Sequence, residues 1–139
     1  MTDLRHSVRQ YSWMIGLLSV SFCVLALWMS RPRAGDREHA MVGTARLDIH
    51  GIKQCLEAFR KDVTRYPTTE EGLMALETQP AGLAGWKGPY VTVKDNRPIV
   101  DPWQRSYVYR SPGRNGEDYE VFSTGPSGKE GDADNIWGK

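Results

Sequence analysis

The residues best suited to chemistry sit at the C-terminal end. Ser123-Thr124-Gly125-Pro126-Ser127-Gly128-Lys129-Glu130-Gly131-Asp132-Ala133-Asp134-Asn135-Ile136-Trp137 is dense in glycine and oxygen donors. Glycines at 125, 128 and 131 permit tight turns that aim backbone carbonyls inward. Asp132, Asp134, Asn135 and the hydroxyls of the stretch add carboxylate, amide and hydroxyl oxygens. Hard oxygens of this kind suit Ca²⁺, which takes about 6–8 of them at ~2.3–2.6 Å. The spacing is not that of an EF-hand: Asp132 and Asp134 fit the first and third positions, but Ile136 stands at the fifth and no Glu closes the loop. On composition alone a solvated acidic loop is favoured over an ion site, with Ile136 and Trp137 anchoring its far end.

Catalytic constellations are otherwise scarce. The chain has no G-x-S-x-G, H-E-x-x-H or P-loop pattern. His39 and His50 fall on a helical stretch and read as solvated. Cys55 has no His partner in the pattern and reads as a packed residue. Glu70-Glu71 suits a helix start, where the macrodipole favours carboxylates. Asp101-Pro102-Trp103 reads as a structural turn with an aromatic anchor. A metal-dependent hydrolase built on Asp132 and Asp134 would need an open coordination position and a general base, and the sequence offers neither. With 18 Lys+Arg against 17 Asp+Glu in 139 residues, there is no basic excess to bind nucleic acid. The sequence predicts a protein that is not an enzyme.

The elements that position the loop begin with a membrane segment. Gln10 to Ser30 is a run of 21 residues without a charge, bracketed by Arg9 and Arg31, with Trp13 and Trp28 near its ends. As a helix it spans about 30 Å, the thickness of a bilayer core, with the tryptophans at the interfaces. It exits into Arg31-Pro32-Arg33 rather than a small-residue cleavage site, which favours an uncleaved span over a signal peptide. Basic residues flank it on both sides, so loop charge does not orient it. Pro32 and Gly35 predict a kink or break beyond it. Cys23 lies in the span and Cys55 some 48 Å further along one helix, too far for a bridge.

A second helical pattern follows. Ala45, Ile49, Ile52, Leu56, Phe59 and Val63 recur at spacings of three and four, one apolar stripe; Leu47 falls off it. Tyr66-Pro67 ends the helix. Thr68 with Glu71 forms a capping-box pattern ahead of a short helix through Leu73 and Leu76. Val91–Val93, Tyr107–Tyr109 and Tyr119–Phe122 read as strands. Pro112-Gly113 and Asn115-Gly116 turn the last two into an antiparallel hairpin. The expected architecture is α+β: a long N-terminal helix, its first half in the membrane, packed on a small antiparallel sheet that would be marginal alone.

Several ordered stretches resemble one family. Arg65-Tyr66-Pro67-Thr68-Thr69-Glu70-Glu71-Gly72-Leu73-Met74-Ala75-Leu76, Trp86-Lys87-Gly88-Pro89-Tyr90, Asp101-Pro102-Trp103 with Tyr107-Val108-Tyr109, Tyr119-Glu120-Val121-Phe122-Ser123-Thr124-Gly125 and the closing Asp134-Asn135-Ile136-Trp137 resemble the major pseudopilins of bacterial type II secretion systems. The similarity covers roughly residues 35–137, and Gly35-Asp36-Arg37-Glu38-His39-Ala40 looks like the family's stretch after the membrane. It implies a pilin-like fold and a mechanical task, as a subunit of a short periplasmic filament that drives folded proteins across the outer membrane. It implies partners among the other pseudopilins and the inner-membrane secretion platform, self-association, and a single-pass inner-membrane protein with residues 1–9 cytoplasmic, 10–30 in the bilayer and 31–139 periplasmic.

The resemblance also implies a Ca²⁺ site at the Thr124 carbonyl, Ser127, the Asp132 carbonyl, Asp134 and Asn135. Two departures accompany it. Ser127 stands where the family usually has an Asp, which weakens the site. Counting back from Tyr66-Pro67 without gaps, the Gly, Phe and Glu of the family's processing motif fall on Arg9, Gln10 and Met14. That Glu is thought to pair with a neighbour's N-terminal amine during assembly, and Met14 cannot. A non-polymerising, membrane-tethered pilin-like binding module is therefore the alternative reading.

Overall fold

Apolar residues at helical spacing need something to bury against, and this chain supplies a small sheet. The computed structural model describes residues 34–92, 99–114 and 116–138. Helix α1 runs Ala34–Val63, and of its residues Ala45, Ile49, Ile52, Leu56 and Phe59 are buried, five members of the stripe read from the sequence; the sixth, Val63, is only partly buried. Leu47 is 75% exposed, off the stripe as expected. Gly35, expected to help break the helix, lies inside it; an isolated glycine costs only about 1 kcal/mol there. Residues 10–30, expected to span the membrane, lie outside the described residues, as do Pro32, Arg9, Gln10, Met14 and Cys23. Among the described residues no helix is long and apolar enough to cross a membrane. Residues 37–139 form one compact unit.

The helix ends at Val63, before Tyr66-Pro67 has to stop it. Thr64 adopts a left-handed φ of 69°, and its N–H still reaches the Arg60 carbonyl at 2.7 Å. Then Thr68 and Glu71 make both bonds of the capping box: Glu71 N–H to Thr68 Oγ1 at 3.2 Å and Thr68 N–H to Glu71 Oε2 at 2.8 Å. The helix that follows is a 3₁₀ turn, Leu73–Leu76, with Gly72 as its N-cap, so the box closes the preceding turn. Arg65 holds Glu71 through two bonds of 2.6 and 2.7 Å. That pairing keeps the Glu71 carboxyl below its ordinary range.

The sheet has three antiparallel strands in the order β1 (Val108–Arg110), β2 (Glu120–Ser123), β3 (Ile136–Trp137). The expected hairpin is present, with Tyr109 opposite Val121. Two expectations fail. Val91–Val93 is not a strand where it is described: the N–H groups of Tyr90 and Val91 both turn to the Leu76 carbonyl, at 2.7 and 3.4 Å, and Val93 lies outside the described residues. The third strand is instead Ile136–Trp137, expected only as an anchor; it pairs Phe122 with Trp137 and Ser123 with Ile136.

Alternation gives the sheet two faces. Tyr109, Val121 and Ile136 join the helix stripe in one core with Tyr107, Ala75 and Leu76. On the other face Phe122 stacks on Trp137 with centroids 4.3 Å apart. Beside that stack Arg110, Glu120, Arg114 and Glu130 form an ion-pair network. The tyrosines of the core carry polar ends to partners. Tyr109 donates to the Pro67 carbonyl at 2.8 Å and Tyr107 to Asp48 Oδ2 at 2.9 Å.

Burial pushes the pKa of the Tyr107, Tyr109 and Tyr119 hydroxyls up, the last to about 12. Each is protonated in the folded state at a pH where the unfolded chain, near the ordinary ~10, has already lost its proton. Their contribution is complete below pH ~10 and is lost as pH rises above it, by up to roughly 4 kcal/mol per pH unit for three groups. In an alkaline titration of the detergent-solubilised chain, tyrosinate absorbance should rise together with the loss of near-ultraviolet circular dichroism. A gradual rise centred near ~10 with the fold intact would contradict the burial of these rings.

Candidate functional site

The C-terminal loop is built on a buried carboxylate. Asp101 is 1% exposed and accepts from three donors: the backbone N–H of Trp103 at 3.0 Å and of Arg105 at 2.9 Å, and the Ser123 hydroxyl at 2.6 Å. The first two close the 101–105 turn, which also carries the Val100–Ser106 bridge. The third joins that turn to the end of β2. Ser123 Oγ in turn accepts the Gly125 N–H at 3.0 Å. The Asp-Pro-Trp stretch is thus structural, as expected, and its target is the loop.

Beyond Thr124, itself buried, the chain turns at Gly125, Gly128 and Gly131, with φ of 63°, 72° and 89°. At Gly125 a Cβ would collide with the Asp134 carbonyl, so strand end and loop end touch backbone to backbone. Asp134 receives the Ser127 N–H at 2.9 Å on Oδ2 and the Ser127 hydroxyl at 3.1 Å on Oδ1. These bonds, the N–H first, hold its carboxyl below the ordinary range, with the Arg105 charge adding to them. The Asn135 N–H takes the Asp132 carbonyl at 3.2 Å. With its amide oriented to satisfy both neighbours, Asn135 donates to the Lys129 carbonyl and accepts from the Gly131 N–H, each at 2.8 Å.

All five expected ligand residues therefore lie in one loop, and donor atoms of Ser127, Asp132, Asp134 and Asn135 are hydrogen-bonded within it. The Asp134 carboxylate is occupied by Ser127, the Asp132 carbonyl by Asn135, and the Asn135 side chain by the backbone. The Asp132 residue is exposed. Among the described residues no three His, Cys, Asp or Glu side chains come together as a metal cluster. A fixed cation also enters the loop: an Arg105 Nη donates to the Gly125 carbonyl, and the same guanidinium lies against Gly128. This donor set, with one carboxylate and one guanidinium, does not fit a resident Ca²⁺. Arg105 is the residue that sequence reasoning missed. It is 20 positions from Gly125, and only the hairpin register, continued three residues past the Val108–Phe122 pair, sets the two opposite each other.

The remaining candidates are structural. Cys55 is half-buried and donates to the Tyr90 carbonyl at 3.1 Å, with its thiol pushed up by burial. A raised thiol is a poor nucleophile. His39 and His50 are exposed on α1, as expected.

Residues 34–137 match the family described as "Type II secretion system (T2SS), protein G". A "Type II secretion system core protein G" of Pseudomonas aeruginosa is 36% identical over 107 residues, covering 77% of this chain and 71% of the relative. One from Vibrio cholerae is 34% identical over 111 residues, covering 78% and 73%. The chain's fold resembles the crystal structure of the major pseudopilin from the type 2 secretion system of enterohaemorrhagic Escherichia coli. The TM-score is 0.64 and the identity 31%, covering 76% of this chain and 89% of that one.

The loop's backbone contact predicts unequal glycine substitutions. Gly125→Ala should lower stability by on the order of 3 kcal/mol, through collision and a left-handed φ together. Gly131→Ala, with open space around it, should cost about 1 kcal/mol from φ alone. Urea titrations compare the two, and equal losses would rule out the close approach of Gly125 to Asp134.

Proposed function

The chain belongs to the type II secretion system protein G family, and from that premise we propose that its helix and sheet form a load-bearing unit of a secretion filament. It is a major pseudopilin, a structural subunit rather than an enzyme. The observation that carries the mechanical reading is how the helix is fastened. The stripe from Ala45 to Phe59 runs about 21 Å along α1 and is buried against the sheet and connecting region throughout.

Polar ties flank that stripe. Tyr107 meets Asp48 at one end; Lys53 donates to the Gly138 carbonyl at 2.7 Å; Lys87 and Tyr90 hold Asp62 at 3.0 and 3.1 Å at the other. A force along α1 would be shared by all of these contacts rather than by one. Close-packed interiors of this kind are stiff.

In this reading residues 10–30 anchor the chain in the inner membrane, residues 1–9 face the cytoplasm, and 31–139 lie in the periplasm. Other pseudopilins and the inner-membrane platform are its partners. Copies associate through their N-terminal helices, and the filament drives folded proteins across the outer membrane. The apolar run and the family membership support the anchor.

A second reading rests on the residues ahead of the matched region. Arg9, Gln10 and Met14 stand where the family's processing motif would place Gly, Phe and Glu, and Met14 offers no carboxylate to a neighbour's amine. Under that reading the same domain is a tethered binding module that does not polymerise.

Crosslinking of native membranes separates the two. A filament subunit should give a ladder of multimers that collapses when Leu17 and Leu18, in the anchoring run, are replaced by Asp. Monomer only, with an intact mass that retains Met1, would exclude the filament and leave the tethered module.

A further inference from the structure

We propose that Arg105 supplies the cation that closes the C-terminal loop, so that this domain holds its shape without Ca²⁺. The inference concerns this chain's own residues and stands whichever way the assembly question falls. Three observations converge on the guanidinium. It donates to the Gly125 carbonyl, the turn by which β2 enters the loop. It packs on the backbone of Gly128, where an added Cβ would lie 2.8 Å from Nη1 and 3.1 Å from Cζ. Its Nε is fully buried and unpaired, so the head group is drawn into the loop rather than left in water.

Carbonyl oxygens directed at a cation are what a hard metal ion would seek in such a loop. Here a planar, permanently charged side chain takes that place. The rest of the loop agrees with a single positive charge. Asp134 is its one inward carboxylate, and a Ser127 hydroxyl and N–H fill both of its oxygens. Placing a divalent ion there would set it beside a guanidinium with one carboxylate to balance both, a like-charge contact in a partly buried site. The backbone of Arg105 is itself fixed by Asp101, so the cation is held at its root as well as its tip.

The test uses Lys129, exposed at the middle of the loop, as a reporter. The full chain in detergent micelles is digested with a lysine-specific protease, in excess Ca²⁺ and in chelator, and cleavage after Lys129 is timed by mass spectrometry. The wild type should be cleaved at the same rate in both, with a melting temperature that moves by less than about 1 °C. A bound Ca²⁺ at saturation would instead move it on the order of 10 °C.

Arg105→Gln removes the charge and its bond. It should speed cleavage about tenfold, because cleavage follows the population of the open loop. Arg105→Lys should fall between, a point charge without the fork. Slower cleavage or a higher melting temperature of the wild type in Ca²⁺ would overturn the proposal. So would an Arg105→Gln protein as resistant as the wild type. The wild-type comparison decides the matter even if the variant fails to fold.

Discussion

Everything in this domain depends on one exchange of apolar surface. A sheet with strands of three, four and two residues has too few ladder hydrogen bonds to persist in water by itself. The stripe on α1 is equally unable to remain exposed. Tyr109, Val121 and Ile136 on the sheet close on Ile49, Ile52 and Leu56 on the helix, and each half supplies what the other lacks. The tyrosines extend this exchange to polar groups. Their rings fill the core while the hydroxyls of Tyr107 and Tyr109 tie Asp48 and the Pro67 carbonyl, so the helix and its exit are fixed to β1 and the residue that precedes it.

The second constraint is the buried Asp101. A desolvated carboxylate persists only where donors surround it. The three donors come from the turn after it and from the far end of β2. One residue thereby sets the turn that projects Arg105 and the strand end from which Gly125 departs. The loop is not an appendage: its far end, Ile136–Trp137, returns as β3, and Trp137 covers Phe122 on the outer face. Loosening the loop would free the strand that completes the sheet.

What was legible in the sequence follows from range. The stripe, the capping box and the hairpin rest on residues close in the chain, where spacing determines geometry, and they are present. The misreadings have local causes too. Val91 has a strand composition, but the Leu76 carbonyl offers the nearer acceptor for its N–H. Ile136-Trp137 is too short to show alternation, so a strand passed for an anchor. The box at Thr68 makes both of its bonds, while the helix after it tightens to 3₁₀ at Gly72. The loop's oxygen-rich residues were legible as a group, yet what they bond to was not. Ser127 lacks the carboxylate that would serve an ion, and its hydroxyl and N–H instead bond Asp134. Arg105 was harder to see, because its partner lies on the neighbouring segment beyond the last residue pair of the β1–β2 ladder.

A tethered cation and a dissociable one differ in what they ask of their surroundings. A bound ion stabilises a fold only as far as its free concentration exceeds its dissociation constant, so such a loop would loosen wherever the ion is scarce. A guanidinium two residues beyond a proline-aromatic turn is part of the chain and always present. It costs side-chain entropy and, here, one unpaired buried Nε–H. The return is a loop closure that needs no dissociable ion, at the loop whose far end returns as β3 to complete the sheet.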